Sequence, residues 1–293
     1  MRQKISLFLF IIGIILVCIN VAGFFLPLRS PELYQLNQLN PDTKHDIILT
    51  EQQVQDVIKN NTMDRKQYLI NVNSAVNQGV ANYWGYKECI VDGQKISCDD
   101  YEGIDKLNLR VPLYENYILF FSSYILPEHF LRYEFTDYRK ALERGIGVCD
   151  QQTIILDGIL KSQNIESKMV NTPHHFFEIA LADPATNEWW VLDPYLGVVI
   201  PYNIQQIQEN PELLRAVFLK EGYSNKSIDT ILMEVWRDHT FKTHEDISEY
   251  STKLYPFERI SYLLIWVIAL SFMLPFTIGI LHKAARKNKR KNQ

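Results

Sequence analysis

The stretch GIGVCDQQTIILDGILKSQNIESKMV (residues 145–170) passes from a glycine-rich loop through an apolar helical pattern into a strand-like segment. Starting at Cys149, the apolar positions Thr153 and Leu156 follow at helical spacing and share its face. Asn164 ends this pattern, and the apolar period then changes from helix-like to strand-like. The stretch therefore predicts a helix that begins at a cysteine and is followed by a β-strand.

The segments around this stretch predict an α+β fold. Three strand-like segments follow the helix, namely KMVNT, HFFEIAL and EWWVLD, and the turn sequence DPATNE joins the last two. The patterns predict helices over 50–60, 64–83, 137–144, 203–209, 211–221 and 226–238. The first of these starts with a capping-box pair, Thr50 and Gln53. Helices grouped around a set of antiparallel strands are typical of the α+β class.

Two uncharged apolar segments flank these elements and predict two membrane-spanning helices. Residues 5–28 and 260–281 contain no acid or base, and each is long enough to cross a bilayer. The basic residues beside them, two before the first segment and six after the second, predict that both termini are cytoplasmic. The chain is therefore expected in the inner (plasma) membrane, with its main domain periplasmic or extracellular.

The region between the two segments, residues 29–259, is acidic. It holds all 34 acidic residues, and the eight basic residues outside it leave 22 of the 30 inside, a formal charge of −12. This charge argues against nucleic acid as a partner. Within the region we expect a domain core at about 64–202 and a helical extension at 203–250, while residues 282–293 form a basic tail. The apolar run at 113–126 is either a core helix or a surface against the bilayer.

The four cysteines have different predicted environments. Cys18 lies within the first apolar segment. Cys89 and Cys98 flank a hairpin turn signal at Asp92-Gly93, and in a compartment that permits disulfides we expect them to bond, the alternative being two free thiols. Cys149 is left without a cysteine partner.

Cys149 has the setting of a reactive thiol. A helix N-terminus stabilises a thiolate through its unpaired backbone N–H groups and its dipole. A nucleophilic cysteine also requires a base, and the base requires an orienting group. His174 and His175 stand on one predicted strand, and Asp193 ends the next. Taken alone, each of these residues has a structural alternative: a small buried thiol, a surface or core histidine pair, a turn aspartate.

In its order of motifs the chain resembles the transglutaminase-like superfamily of papain-fold thiol enzymes. The resemblance covers about 139–202 and rests on three motifs: G-x-C opening a helix at Cys149, H-x-[WF]-x-E at 174–178, and W-x-x-x-D-P at 189–194. It implies a catalytic triad of Cys149, His174 and Asp193. Strand alternation puts His175 on the face opposite His174, Phe176 and Glu178, so the motif register selects His174 over His175.

The resemblance also implies a role for each residue. Cys149 would attack an acyl carbon, His174 would move the proton, and Asp193 would hold the imidazole tautomer. The oxyanion would bind the Cys149 backbone N–H and one further donor. Four residues are candidates for that donor: Gln151, Gln152, Trp84 and Asn82. The three triad residues could also ligate zinc by type, but their spacing matches no usual zinc pattern, so we expect no metal or cofactor.

The leading functional hypothesis is a membrane-anchored cysteine hydrolase or acyl-transferase, protease- or amidase-like, that acts on peptide, protein or cell-envelope amide bonds. The resemblance implies hydrolysis more often than cross-linking in microbial members. One alternative is a catalytically silent scaffold that binds a peptide or glycan. Another is an accessory subunit of an envelope polymer assembly or export complex, whose membrane helices dock with a membrane-protein partner. Loss of activity on a single change of Cys149 would favour the enzyme.

Overall fold

The structure is a computed structural model that describes residues 2–31, 33–34, 47–60, 64–82, 89–91, 94–96, 110–131, 133–173, 175–236 and 240–291. Of the residues at 2–3, 82, 89–91, 94–96, 234 and 286–291, only the backbone is described. The chain divides into two compact units. Unit 1 consists of Met1–Leu28, Asn108–Tyr133 and Pro256–Gln293, and unit 2 consists of Arg29–Leu107 and Glu134–Tyr255.

The described helices are, in chain order, α1 (Arg2–Ala22), α2 (Glu51–Lys59), α3 (Arg65–Gly79), α4 (Tyr117–Ile125), α5 (Pro127–Phe130), α6 (Tyr138–Arg144), α7 (Cys149–Ser162), α8 (Ile204–Glu209), α9 (Glu212–Lys220), α10 (Asn225–Ile231), α11 (Ile247–Tyr250) and α12 (Leu254–Lys291). A π-helical turn, Leu232–Trp236, extends α10. The strands are β1 (Ala81–Asn82), β2 (Cys89–Val91), β3 (Gln94–Ile96), β4 (Ile146–Gly147), β5 (Ser167–Asn171), β6 (Phe176–Asp183), β7 (Glu188–Asp193), β8 (Val198–Ile200) and β9 (Lys242–His244).

Unit 1 contains the two apolar helices that the sequence predicts at the two ends of the chain. Within α1 and α12, the parts Lys4–Ala22 and Leu254–Ala285 are long and apolar enough to cross a membrane. The two helices pack closely at Gly13, where a Cβ atom would lie 2.8 Å from the carbonyl oxygen of Ala269. Both helices expose most of their apolar side chains, as lipid-facing helices do.

Unit 2 is built on an antiparallel sheet with the strand order β8-β7-β6-β5-β9. This confirms the predicted α+β class. Strands β5, β6 and β7 lie where the period-two pattern and the DPATNE turn place them, whereas β8 and β9 were not predicted. Helices α3 and α7 contact one side of the sheet. Residues of α8, α9 and α10 form an apolar cluster with Val170, Phe177 and Val191 on the other side.

The helix that carries Cys149 forms as the sequence predicts. The preceding helix α6 ends at Gly145, which has a left-handed φ of 68° and so reverses the chain sharply. Strand β4 then pairs with β1 in parallel, with Asn82 opposite Gly147. Helix α7 starts directly afterwards at Cys149 and is buried along most of its length. This α6-β4-α7 junction sets the position of the Cys149 thiol in unit 2.

Two further predictions meet the structure at the borders of the described residues. Strands β2 and β3 form the predicted antiparallel hairpin. The expected Cys89–Cys98 disulfide lies outside the described residues, because neither Cys98 nor the side chain of Cys89 is described. Residues 108–133, which the sequence analysis includes in the core at 64–202, belong to unit 1.

The capping box predicted from Thr50 and Gln53 is confirmed, and it begins helix α2.

Candidate active site

Cys149 is a free thiol at the first position of α7 and is only partly buried. Its side chain packs against a small apolar cluster formed by Ile154, Met169 and Phe176, with Tyr250 at the edge. The thiol therefore lies where the unpaired N–H groups and the dipole of a 14-residue helix favour negative charge.

His175 and Asp193 form a buried pair. The Nε2 atom of His175 lies 2.7 Å from Oδ2 of Asp193, and the two side chains are 5% and 0% exposed. The other carboxylate oxygen of Asp193 accepts a hydrogen bond from the backbone N–H of Leu196 at 2.9 Å. The backbone N–H of His175 donates to Thr172 Oγ1 at 2.9 Å. Both members of the pair are thus held at fixed positions by their own loops.

The Cys149 thiol lies near enough to the imidazole to help raise the pKa of His175. Because Nε2 of His175 faces Asp193, its Nδ1 atom is the ring nitrogen that remains available to Cys149. The thiol, the imidazole and the carboxylate all belong to unit 2. Together they are the set of groups that activates a nucleophile through a base and an orienting acid.

The histidine in this arrangement is His175, whereas the sequence analysis selected His174, which lies outside the described residues. His175 directly precedes β6, and Asp193 is the last residue of the neighbouring antiparallel strand β7, so the pair forms at one end of the sheet. The choice of His174 stays a prediction.

The environment of His175 favours the charged imidazolium. Burial lowers its pKa, but the charge and hydrogen bond of Asp193, together with Cys149, outweigh burial and raise the pKa from 6.5 to about 10. The direction follows from a carboxylate partner at 2.7 Å in a buried site. At neutral pH the imidazole therefore holds its second proton next to the thiol.

A carboxyl pair, Glu134 and Asp150, lies near the thiol and was not predicted from the sequence. Burial, and then the charge of Asp150, hold the pKa of Glu134 well above its ordinary 4.5. The pKa of Tyr250 is also raised, chiefly by burial and then by the charge of Asp150. Glu134 precedes the sequence stretch that resembles a known family, and no spacing links it to Cys149. No sequence signal could have identified it.

Gln151 is one candidate for the second oxyanion donor, but both polar atoms of its side chain are hydrogen-bonded within the protein. Its Oε1 accepts from the backbone N–H of Phe135 at 2.7 Å, and its Nε2 donates to the carbonyl of Phe135 at 2.8 Å. Arg144 also donates to Oε1. A Cβ atom on Gly147 would lie 2.3 Å from Cβ of Gln151, so this glycine leaves room for the glutamine. Gln151 therefore ties the loop before α6 to the Cys149 helix.

The other three candidates for the second oxyanion donor are Gln152, Asn82 and Trp84. Gln152 is 0% exposed, and neither its Nε2 nor its Oε1 has a partner within the described part of the chain. A side chain that is fully enclosed cannot reach a substrate oxygen from this conformation. Asn82 lies opposite Gly147, close in space to the start of α7, but only its backbone is described. Trp84 lies outside the described residues.

Glu178, which the resemblance includes in its histidine motif, lies in a buried polar cluster with Asp157 on α7. Burial, and then the charge of Asp157, hold the pKa of Glu178 well above 4.5. Asp157 forms an ion pair with Lys161 at 2.6 Å and accepts a hydrogen bond from Ser167 at 3.3 Å. This cluster lies between the middle of α7 and the sheet.

Among the side chains that the structure describes, no group of three or more His, Cys, Asp and Glu residues could hold a metal ion. Comparison with protein-family models, with curated proteins and with solved structures finds no significant match for the chain. The functional interpretation therefore rests on the sequence motifs and on the geometry of the site.

Proposed function

We propose that the protein is a membrane-anchored thiol enzyme that cleaves amide bonds, or transfers their acyl groups, through Cys149, His175 and Asp193. The observation that carries the proposal is the buried pair of His175 Nε2 and Asp193 Oδ2 at 2.7 Å, with the Cys149 thiol near enough to the same imidazole to help raise its pKa. A binding-only cleft does not require a buried carboxylate to orient an imidazole against a thiol.

The proposed resting form is an imidazolium–thiolate pair, because the raised pKa of His175 favours its charged form. The thiolate of Cys149 attacks the carbonyl carbon of an amide, and the carbonyl electron pair moves onto oxygen. When this intermediate collapses, the C–N bond breaks and the amine leaves with the proton of His175. The products are a thioester on Cys149, a free amine and a neutral imidazole.

The second half of the reaction releases the acyl group. His175 takes a proton from water, or from an acceptor amine, as its oxygen or nitrogen adds to the thioester carbon. The C–S bond then breaks, which returns the thiolate and the imidazolium and frees the acid or the new amide. The backbone N–H of Cys149 at the start of α7 is the proposed first oxyanion donor, and the chain near Asn82 and Trp84 is the proposed source of the second.

The fold supports the same proposal. A helix that begins at the nucleophile, packed on an antiparallel sheet whose adjacent strands carry the histidine and the acid, is what the transglutaminase-like resemblance implies. The positive flanks of the two apolar helices support a two-pass topology in a plasma membrane, with unit 2 on the extracytoplasmic side. The substrate class that follows is a peptide, protein or cell-envelope amide.

The test is the rate at which iodoacetamide alkylates Cys149 at pH 6 in the purified full chain. If Cys149 and His175 form an ion pair, His175→Ala lowers this rate by about tenfold or more, because a free thiol is hardly ionised at that pH. His174→Ala is the matched control and leaves the rate unchanged.

Equal rates in all three proteins would remove the basis for an activated thiol and leave the peptide- or glycan-binding scaffold as the function. A fall in the His174→Ala variant alone would restore the original choice of histidine. Cleavage of a peptide-amide library that disappears in Cys149→Ala would then identify the substrate.

A further inference from the structure

Helix α4 in unit 1 exposes its apolar side. The ten residues from Tyr117 to Leu126, YILFFSSYIL, contain no charge. At helical spacing, Phe121, Tyr124 and Ile125 are 55%, 58% and 75% exposed. The residues that α4 buries include a serine, Ser123, which is 1% exposed. A helix on a water-exposed surface has the reverse arrangement, with its apolar face inward and its polar face outward.

The hydrogen bonds of this segment set its level along the two apolar helices. Asn116, the N-cap of α4, donates to Ser261 Oγ at 2.9 Å, and the hydroxyl of Tyr117 donates to the carbonyl of Ile265 at 2.7 Å. The hydroxyl of Tyr114 donates to the carbonyl of Pro27 at 2.9 Å. Helix α4 therefore begins beside the first turns of the uncharged segment 260–281 and beside the last residues of the segment 5–28.

The exposed apolar surface continues from α4 to the end of the first apolar segment. There Phe24, Phe25 and Leu26 are 73%, 81% and 44% exposed. Gly23 permits this arrangement, because a Cβ atom at that position would lie 2.3 Å from the carbonyl oxygen of Tyr114. Clustered large apolar side chains at this level, next to helices long enough to span a bilayer, mark a surface that meets lipid.

A cation and an aromatic hydroxyl border this surface. The guanidinium of Arg110 lies 4.1 Å from the centroid of the Tyr124 ring and donates to its hydroxyl at 3.2 Å. Tyrosine is enriched where membrane proteins pass from hydrocarbon to headgroups, and arginine pairs with lipid phosphate. The polarity therefore changes at Tyr124 in the way that it changes across a membrane interface.

We propose that α4 lies in the extracytoplasmic interface of the bilayer, with Phe121, Tyr124 and Ile125 in contact with acyl chains. At nine residues it is too short to span the membrane, so it lies in the interface as a third contact between unit 1 and lipid. The proposal rests on the spanning of the two apolar helices and is independent of the thiol chemistry.

The experiment is carbene photolabelling from the lipid phase. The full chain is reconstituted in phosphatidylcholine–phosphatidylglycerol vesicles that contain a diazirine probe confined to the acyl region, and labelled positions are read by peptide mass spectrometry. We expect Phe121 and Ile125 to be labelled as strongly as the exposed side chains of α1 and α12. Ile48 and Met233 in unit 2, which are 66% and 60% exposed, are the matched controls and stay unlabelled.

A pair of charge variants completes the test. Ile125→Asp reduces labelling at Phe121 to the level of Ile48 while the two apolar helices keep theirs, whereas Ile48→Asp changes nothing. Strong labelling of the helices with none on α4 would overturn the proposal. Protection of α4 that grows with the protein-to-lipid ratio would overturn it in favour of a second copy of the chain. Absence of label from all three elements would refute the spanning helices themselves.

Discussion

The pKa of His175 makes the stability of unit 2 depend on pH in a definite direction. Its pKa is about 10 in the folded protein against 6.5 for an ordinary histidine. A raised pKa stabilises the fold fully below pH 6.5, and this contribution is lost as the pH rises towards 10. His244 behaves in the opposite way, because burial and then the charge of Lys242 lower its pKa. Its contribution is present above pH 6.5 and is lost as the pH falls.

Two variants separate these effects. We expect the thermal midpoint of the wild type to exceed that of His175→Gln most at pH 6, with the difference shrinking steadily up to pH 10. For His244→Gln we expect the opposite trend: its thermal midpoint rises relative to that of the wild type as the pH falls below 6.5. Thermal unfolding in detergent across this pH range measures both. A difference for His175→Gln that is constant or grows with pH would show that Asp193 does not hold the imidazole charged.

The choice between the two histidines shows what a local pattern can and cannot decide. His174 and His175 are adjacent in sequence, and a local motif does not show which of them meets Asp193. The contact of His175 with Asp193 depends on the pairing of β6 with β7, in which Glu178 lies opposite Leu192. The cysteine and the acid could be predicted because each ends or begins an element. The histidine could not, because it required a contact between strands.

At the scale of elements, the α6-β4-α7 junction that positions Cys149 depends on one residue with a left-handed backbone conformation. Gly145 has a φ of 68°, and the guanidinium of Arg29 fills the space beside it, 2.4 Å from where a Cβ would be. Arg29 in turn donates to the carbonyls of Leu142 and Glu143 at the end of α6. The side chain of Arg29 therefore satisfies two carbonyls in the last turn of α6, beside the Gly145 cap.

Gly145→Ala and Gly222→Ala test this junction as a matched pair. Gly222 also has a left-handed φ, 86°, but no atom lies within 4 Å of a Cβ there. Gly222→Ala therefore costs only the backbone term, about 1–2 kcal/mol of unfolding free energy. Gly145→Ala costs more, because Arg29 must also leave its carbonyls. Chemical denaturation measures the free energies, and alkylation of Cys149 reports whether the thiol has moved. Equal losses in the two variants would show that Arg29 adapts freely.

The elements that the sequence could predict are those whose signals are local. A capping box opens α2, alternation marks β5 to β7, and an Asp-Pro-Asn turn joins β6 to β7. Strands β8 and β9 have three residues each, too few for a period, and they exist because β7 and β5 offer them an edge. The pairing of β1 with β4 is equally a product of the fold.

At the scale of the whole molecule, the two compact units are not continuous in sequence. Unit 1 gathers the apolar helices from both ends of the chain together with residues 108–133 from its middle. The sequence marks the terminal helices by length and lack of charge, but α4 is too short for that criterion. Helix α4 is tied to α12 by the hydrogen bonds from Asn116 to Ser261 and from Tyr117 to Ile265. Hydropathy predicts the two long apolar helices, whereas three-dimensional contacts are needed to assign α4 to unit 1.

The distribution of charge predicts the orientation of the chain in the membrane. Two basic residues precede the first apolar helix and six follow the second, whereas the region between carries a formal −12, with 34 acids against 22 bases. Lysine and arginine near a span stay on the cytoplasmic side. An epitope inserted at Gly222, an exposed turn with open space around it, should therefore be reached by antibody on intact spheroplasts. An epitope after Gln293 should be reached only once the membrane is permeabilised.

Replacing the six basic residues of the tail with glutamine tests the cause of this orientation. If these residues hold the C-terminus in the cytoplasm, a measurable share of the variant molecules exposes the C-terminal epitope outside the cell. The Gly222 epitope is still reached in molecules whose first helix is oriented by Arg2 and Lys4. A variant in which Lys226 and Lys242, both in unit 2, become glutamine is the control and keeps the wild-type orientation, because charges far from a span contribute little. Exposure of the C-terminal epitope in the unmodified chain would reverse the topology. It would also place Cys149 in a reducing cytoplasm, where the expected disulfide between Cys89 and Cys98 would not form.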